Sequence, residues 1–135
     1  MDLQRSIAIS AGGLKAQSLR MRVVAENLAN QDTLASAPGE QPYQRKVVMF
    51  KDVLDREIGA STVKVDRVTV DRSEFQKVYM PSHPGADEQG YVLKPNVNGI
   101  IETSDMKEAQ RSYEANLNAV EAAKSLTMRT IDLLR

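Results

Sequence analysis

"DMKEAQRSYEANLNAVEAAKSLTMRTIDLLR", residues 105–135, contains neither glycine nor proline. Its apolar positions are Met106, Ala109, Tyr113, Leu117, Val120, Ala123, Met128, Ile131 and Leu134. They step mostly by three and four, the spacing of one helix face. Asp105 stands where an N-cap would, and Glu108, three residues on, can reach back as in a capping box. The pattern predicts a helix of about 30 residues, ~45 Å long at the usual rise per residue.

The other end of the chain shows the same habit. Across residues 3–28, Ile7, Leu14, Met21 and Leu28 recur by sevens, the a-position repeat of a left-handed coiled coil. Gly12 and Gly13 interrupt it, each costing about 1 kcal/mol relative to alanine in a helix interior. Alone in water this helix is marginal. It closes in "AENLANQDT", residues 25–33, with Asn27 and Asn30 three apart on one face. Asparagine is a poor helix-interior residue because its short amide competes for nearby backbone groups. Asn30 is expected to end the helix as a C′ residue in the left-handed conformation.

Between the helices the pattern changes. "SAPGEQPY", residues 36–43, is turn-rich loop. "RKVVMF" reads as strand, and so does "STVKVDRVTVD", where Val63, Val65, Val68 and Val70 nearly alternate. "FQKVYMP" is expected to pair with that second strand, and the "YVL" of residues 91–93 to add a short one. The expected fold is mainly α with a small antiparallel β unit. Its segments are an N-terminal helix in 1–33, a loop and β-rich middle in 34–98, and a C-terminal helix in 99–135. Two helices cannot bury both of their faces against each other, so an apolar stripe is left for another molecule.

Composition narrows the function. Eighteen basic and eighteen acidic residues balance to a formal charge of zero, which disfavours nucleic acid as a partner. Aromatics make up 4 % and tryptophan is absent, so the core is thin. With no cysteine, disulfides and thiolate metal sites are excluded. "MDLQRSIAIS" lacks the pattern of a cleaved signal peptide. No run approaches the roughly 18 apolar residues of a membrane span, so direct membrane insertion is not expected.

Nothing in the chain spells out a reaction. His83, in "PSHPGAD", is the single histidine and has no nucleophile beside it. "GADEQG" is too short for a calcium loop, and "SAGGLKAQS" lacks the strand and spacing of a phosphate-binding loop. No catalytic residue, cofactor or metal is expected.

"AENLANQDT" resembles the Asn-x-Ala-Asn signature of the flagellar axial proteins, the family of rod and hook subunits. "PYQRKVVMF", "PSHPGADEQGYVLKPNVN" and "MKEAQRSYEANLNAVEAAKSLTMRTIDLL" are similar to its short proximal-rod members. Residues 31–38 and 63–71 follow the pattern only loosely.

The resemblance implies that the terminal helices form an inner coiled-coil domain packed around a central channel, in a structural subunit without an active site. It implies an assembly interface of Ile7, Leu14, Met21, Asn27, Leu28 and Asn30 on the first helix. On the second it implies Met106, Tyr113, Asn116, Leu117, Val120, Ile131 and Leu134. Asn27 and Asn30 would bond frayed carbonyls or a neighbouring subunit's backbone.

The implied partners are copies of itself, proximal rod protein B, distal rod proteins F and G, the basal-body protein FliE, and the flagellar type III export apparatus. The implied location is the basal-body rod across the periplasm, reached without a cleaved signal. "FKDVL" fits a Phe-x-x-x-apolar export element through Phe50 and Leu54, with core packing of the two as the competing reading. The alternative function is a helical adaptor or export chaperone that binds client helices with its amphipathic ends.

Overall fold

A computed structural model describes residues 2–135; Met1, the first residue of the expected N-terminal segment, lies outside the described residues. In chain order the elements are α1 (Leu3–Ala29), β1 (Lys46–Asp55), β2 (Ala60–Val70), β3 (Gln76–Tyr79), β4 (Tyr91–Lys94) and α2 (Gly99–Leu133). The fold is mainly α, with two long terminal helices and a small β region between them.

Polar side chains set the helix ends. Asp2 caps α1, its Oδ1 accepting the Gln4 N–H at 3.0 Å. Asn30 closes it differently from expectation, because no described non-glycine residue has a positive φ. Instead its Nδ2 donates to the Glu26 carbonyl at 2.8 Å, so the side chain rather than a left-handed backbone satisfies the last turn.

α2 also starts earlier than Asp105. Asn98 is the N-cap, taking the Ile100 N–H on Oδ1 at 3.0 Å and the Glu102 N–H on its carbonyl at 3.0 Å. No breaker separates Gly99 from Asp105, so the helix runs back to the first good cap. Asp105 is left inside it.

The strands form two separate pairs. β1 and β2 join through the short turn 56–59, a connection that only antiparallel strands can make. β3 pairs with β4, from Gln76 opposite Lys94 to Tyr79 opposite Tyr91, and not with β2 as expected. The intervening loop dictates this choice. Asp87 Oδ1 accepts the N–H groups of Gln89 and Tyr91, both at 2.9 Å, and the Met80 N–H reaches the Gly90 carbonyl at 2.9 Å. Gly90 turns the chain at a φ of 88°, a region that side chains resist.

The chain divides into two compact units. Of the described residues, one comprises 2–21, 48–67 and 107–135, the other 22–47 and 68–106. In the first, the most buried residues are small: Ser10, Ala16, Thr62, Ala109 and Ala123. Gly12 and Gly13 are the reason α1 can be approached so closely. A Cβ on Gly12 would lie 3.3 Å from the Val63 carbonyl, and one on Gly13 would lie 2.7 Å from Asn116 Nδ2. In the second unit Val23, Val24, Ala35, Val92 and Val97 are buried.

Gly85 of the second unit packs directly on the backbone. A Cβ there would fall 2.1 Å from the Ala35 carbonyl oxygen, with no flexible atom able to yield. Gly85→Ala is therefore expected to destabilise the protein by about 1–3 kcal/mol, the usual cost of overpacking. Urea unfolding checks this: a midpoint equal to that of the unsubstituted protein would show that residues 35 and 85 do not pack as described.

Candidate functional site

The most constrained side chains surround Asn27, which is 1 % exposed. Its Nδ2 donates to the Lys46 carbonyl at 2.9 Å and to Glu102 Oε2 at 3.1 Å. Its Oδ1 accepts the Tyr43 hydroxyl at 2.8 Å and the Lys46 N–H at 3.0 Å. An amide offers two donors and two acceptor positions, and all are used within the chain. The expected bond from Asn27 to a neighbour's backbone has no group left to make it.

Glu102 is fully enclosed, and Arg45 Nε pairs with its Oε1. The same guanidinium reaches Asp71 Oδ2 at 3.2 Å and Asp105 Oδ2 at 3.5 Å. Backbone bonds hold Arg45 in place: its N–H donates to Asn96 Oδ1 at 2.8 Å, and its carbonyl accepts the Asp71 N–H at 2.7 Å. Burial works against the charge on Arg45, but the hydrogen bonds and charges of Glu102 and Asp71 win and raise its pKa. Burial pushes the Tyr43 phenol up, opposed by Lys46 and helped by Glu26 and Glu102. It remains a neutral donor to Asn27.

The charged groups of the cluster are engaged with one another. His83 Nδ1 accepts the Gly85 N–H at 2.9 Å, a local turn contact. Among the described residues no three His, Cys, Asp or Glu side chains gather as a metal site. No described helix is long and apolar enough to cross a membrane.

The expected interface residues separate into three groups. Ile7, Leu14, Met21 and Leu28 on α1 are half-buried, as are Asn30 on its end and Met106, Tyr113, Asn116 and Val120 on α2. Asn27 is buried, whereas Leu117, Ile131 and Leu134 are exposed, and so are Phe50 and Leu54 on β1.

Contacts between the helices fall at Gly13 with Asn116, Arg20 with Glu108 at 3.5 Å, and Asn27 with Glu102. They recur by sevens on α1, but one position before Leu14, Met21 and Leu28. The inward face of α2 follows the same rule. Glu102, Met106, Ala109, Tyr113, Asn116, Val120, Ala123 and Thr127 alternate steps of four and three, and all are buried or half-buried. Hydrophobic periodicity finds Met106, Ala109, Tyr113, Val120 and Ala123 of this face, but it misses Glu102 and Asn116, and Gly13 and Asn27 on α1, because glycine, asparagine and glutamate interrupt the apolar pattern. The signal that could have found them is the heptad spacing of small and polar residues.

Residues 7–34 match the family described as "Flagella basal body rod protein", and residues 88–133 match "Flagellar basal body rod FlgEFG protein C-terminal". The flagellar basal-body rod protein FlgC of Agrobacterium fabrum is 45 % identical, over 98 % of this chain and 96 % of its own. The chain belongs to the FlgC family. Members from Bacillus subtilis (40 % identical) and Salmonella typhimurium (38 %) align over 98 % of this chain and over 99 % and 98 % of their own lengths. The protein is thus a structural subunit of the flagellar rod, a family that is not an enzyme class.

Within the buried cluster, Arg45→Met would leave Glu102 enclosed without its counter-charge, a loss of about 3–5 kcal/mol. Adding Glu102→Met should restore most of it, since replacing a buried pair outright is often neutral. Chemical denaturation of both variants checks the pair; equal losses would mean that Glu102 is not held by Arg45.

Asp71 supplies a pH signature. Hydrogen bonds from the Ser73 backbone, outweighing its desolvation, and then contacts from the Ser73 side chain and Arg45 lower its pKa below the ordinary 3.8. Its contribution is therefore fully present above that value and lost as pH falls through the lowered folded value. Asp71→Asn should flatten the acid limb of the stability curve, and an unchanged limb would remove Asp71 from the cluster's account.

Proposed function

We propose that this subunit belongs to the proximal rod and polymerises through its terminal helices, carrying torque by helix packing with no reaction of its own. The observation that carries this reading is the outer surface of α2. Leu117, Leu126, Met128, Ile131, Leu133 and Leu134 are all exposed, on a helix whose inward face holds mostly small or polar residues. Apolar surface of this kind on a soluble chain marks a protein contact. Ile7, Leu14, Met21 and Leu28 stay partly exposed beside the α1 seam and would join the same interface. Asn27 supports it only indirectly, by fixing the end of α1.

On this reading residues 1–33 and 99–135 form the inner, channel-lining part, and residues 34–98 lie outside it. The partners are copies of the chain, rod proteins B, F and G, and FliE. The chain would leave the cytoplasm through the type III export apparatus without a cleaved signal and reach a rod crossing the periplasm. The exposed Phe50 and Leu54 would serve as the export element, available in an unfolded or loosely folded chain.

Leu117→Asp tests the assembly surface. Leu117 is 39 % exposed, so a carboxylate there stays hydrated in the monomer and the melting temperature should change little. In a packed array the same carboxylate loses its water, at a cost of several kcal/mol per copy, and incorporation into isolated basal bodies should be abolished. Normal incorporation would remove Leu117 from the interface. A small closed complex with client helices in place of rods would favour an adaptor or chaperone.

A further inference from the structure

Resting on the rod-subunit reading, we propose that the groove between α1 and the β1–β2 hairpin of one copy receives the last turns of α2 from a neighbouring copy. The groove has a volume of about 510 Å³. Ala8, Gly12, Ala16 and Leu19 line one wall, and Ile58 and Val65 line the other. Its α1 wall is nearly free of bulk where Ala8, Gly12 and Ala16 follow one another at four-residue steps. Gly12 already meets the Val63 carbonyl of its own chain, so what this wall admits is the apolar side chains of a second helix rather than its backbone. From Ala8 to Leu19 the wall runs ~16 Å, and the turns from Met128 to Leu134 span ~10 Å, so the tail fits within its length.

The tail has no cover in its own chain. Antiparallel contacts of Gly13 with Asn116 and Arg20 with Glu108 carry the start of α1 to the level of Leu126 and Thr127. Ile131 and Leu134 lie beyond that point, and they are 45 % and 82 % exposed. α2 is one continuous helix through Leu133, so the tail cannot fold back into the groove of its own chain.

Charge selects this occupant. Lys15 and Lys64 stand at the groove with no ion-pair partner among the described residues. Asp55, on the opposite side of the charge balance, accepts only the nearby Glu57 N–H, at 3.0 Å. The tail presents Asp132 between Arg129 and Arg135. Its one ion pair, Asp132 with Arg135, is long at 3.9 Å and exposed, so it is readily exchanged. An acidic group for the lysines and basic groups for Asp55 thus flank the two apolar side chains that need cover.

The chain has no cysteine, which makes a disulfide test unambiguous. Val63→Cys and Ile131→Cys combined in one chain, oxidised in isolated basal bodies, should give a ladder of cross-linked copies that neither single variant gives. Lys64→Glu, a change at an exposed side chain, should lower incorporation at least tenfold, and Asp132→Lys in the same chain should restore it. Incorporation without the ladder, cross-linking of position 131 to a different protein, or normal incorporation of Lys64→Glu would each overturn the groove assignment while leaving the rod-subunit reading intact. Absence of the unsubstituted chain from basal bodies would overturn that reading, and this proposal with it.

Discussion

A carboxylate with no access to water is tolerated only if something inside the protein replaces its hydration. Glu102 is in that position, and Arg45 and Asn27 are what replace the water. The consequence spreads through the second unit. Arg45 sits just before β1, Asn27 near the end of α1, Glu102 in the first turns of α2, and Asp71 just after β2. One ion pair with its satellites therefore ties four chain segments that are remote in sequence. The valine core around it is small, so hydrogen bonds and charge complement the limited apolar burial in defining how these segments meet.

In the first unit the solution is different. Ala16, Ala109 and Ala123 are buried and Gly12 and Gly13 meet neighbours closely, so α1 is held by close approach rather than by large side chains. Close approach of small residues gives many weak dispersion contacts and little hydrophobic area. Leu117, Leu126, Met128, Ile131, Leu133 and Leu134 of α2 are left on the outside. For a chain that lives alone this would be an aggregation hazard; in the proposed rod assembly it is the surface offered to neighbours.

These two arrangements divide the labour between fold and assembly. Polar groups that must be satisfied, such as the Asn27 amide, are satisfied within the chain. Groups that benefit from burial without directional bonds, such as Leu117, Ile131 and Leu134, remain available. Hydrophobic contact adapts to more than one neighbour geometry, and directional hydrogen bonds do not, which suits a subunit whose partners in a rod are not all identical.

The sequence by itself determined the two long helices, the short strands between them and the absence of a recognisable catalytic motif. Those features follow from local spacing: three–four steps, alternation, and turn residues at fixed places. It also carried the family resemblance in "AENLANQDT" and in the last thirty residues. Only the tertiary structure decided that Gly13, Asn27, Glu102 and Asn116 join the inward faces, because periodicity of apolar residues is blind to glycine, asparagine and glutamate. Only it paired β3 with β4, a choice made by the Asp87–Gly90 turn and not by strand propensity. The same holds for Asn27: its residue type marked the helix end, but its role depended on Tyr43, Lys46 and Glu102, whose approach is a long-range event that no local pattern encodes.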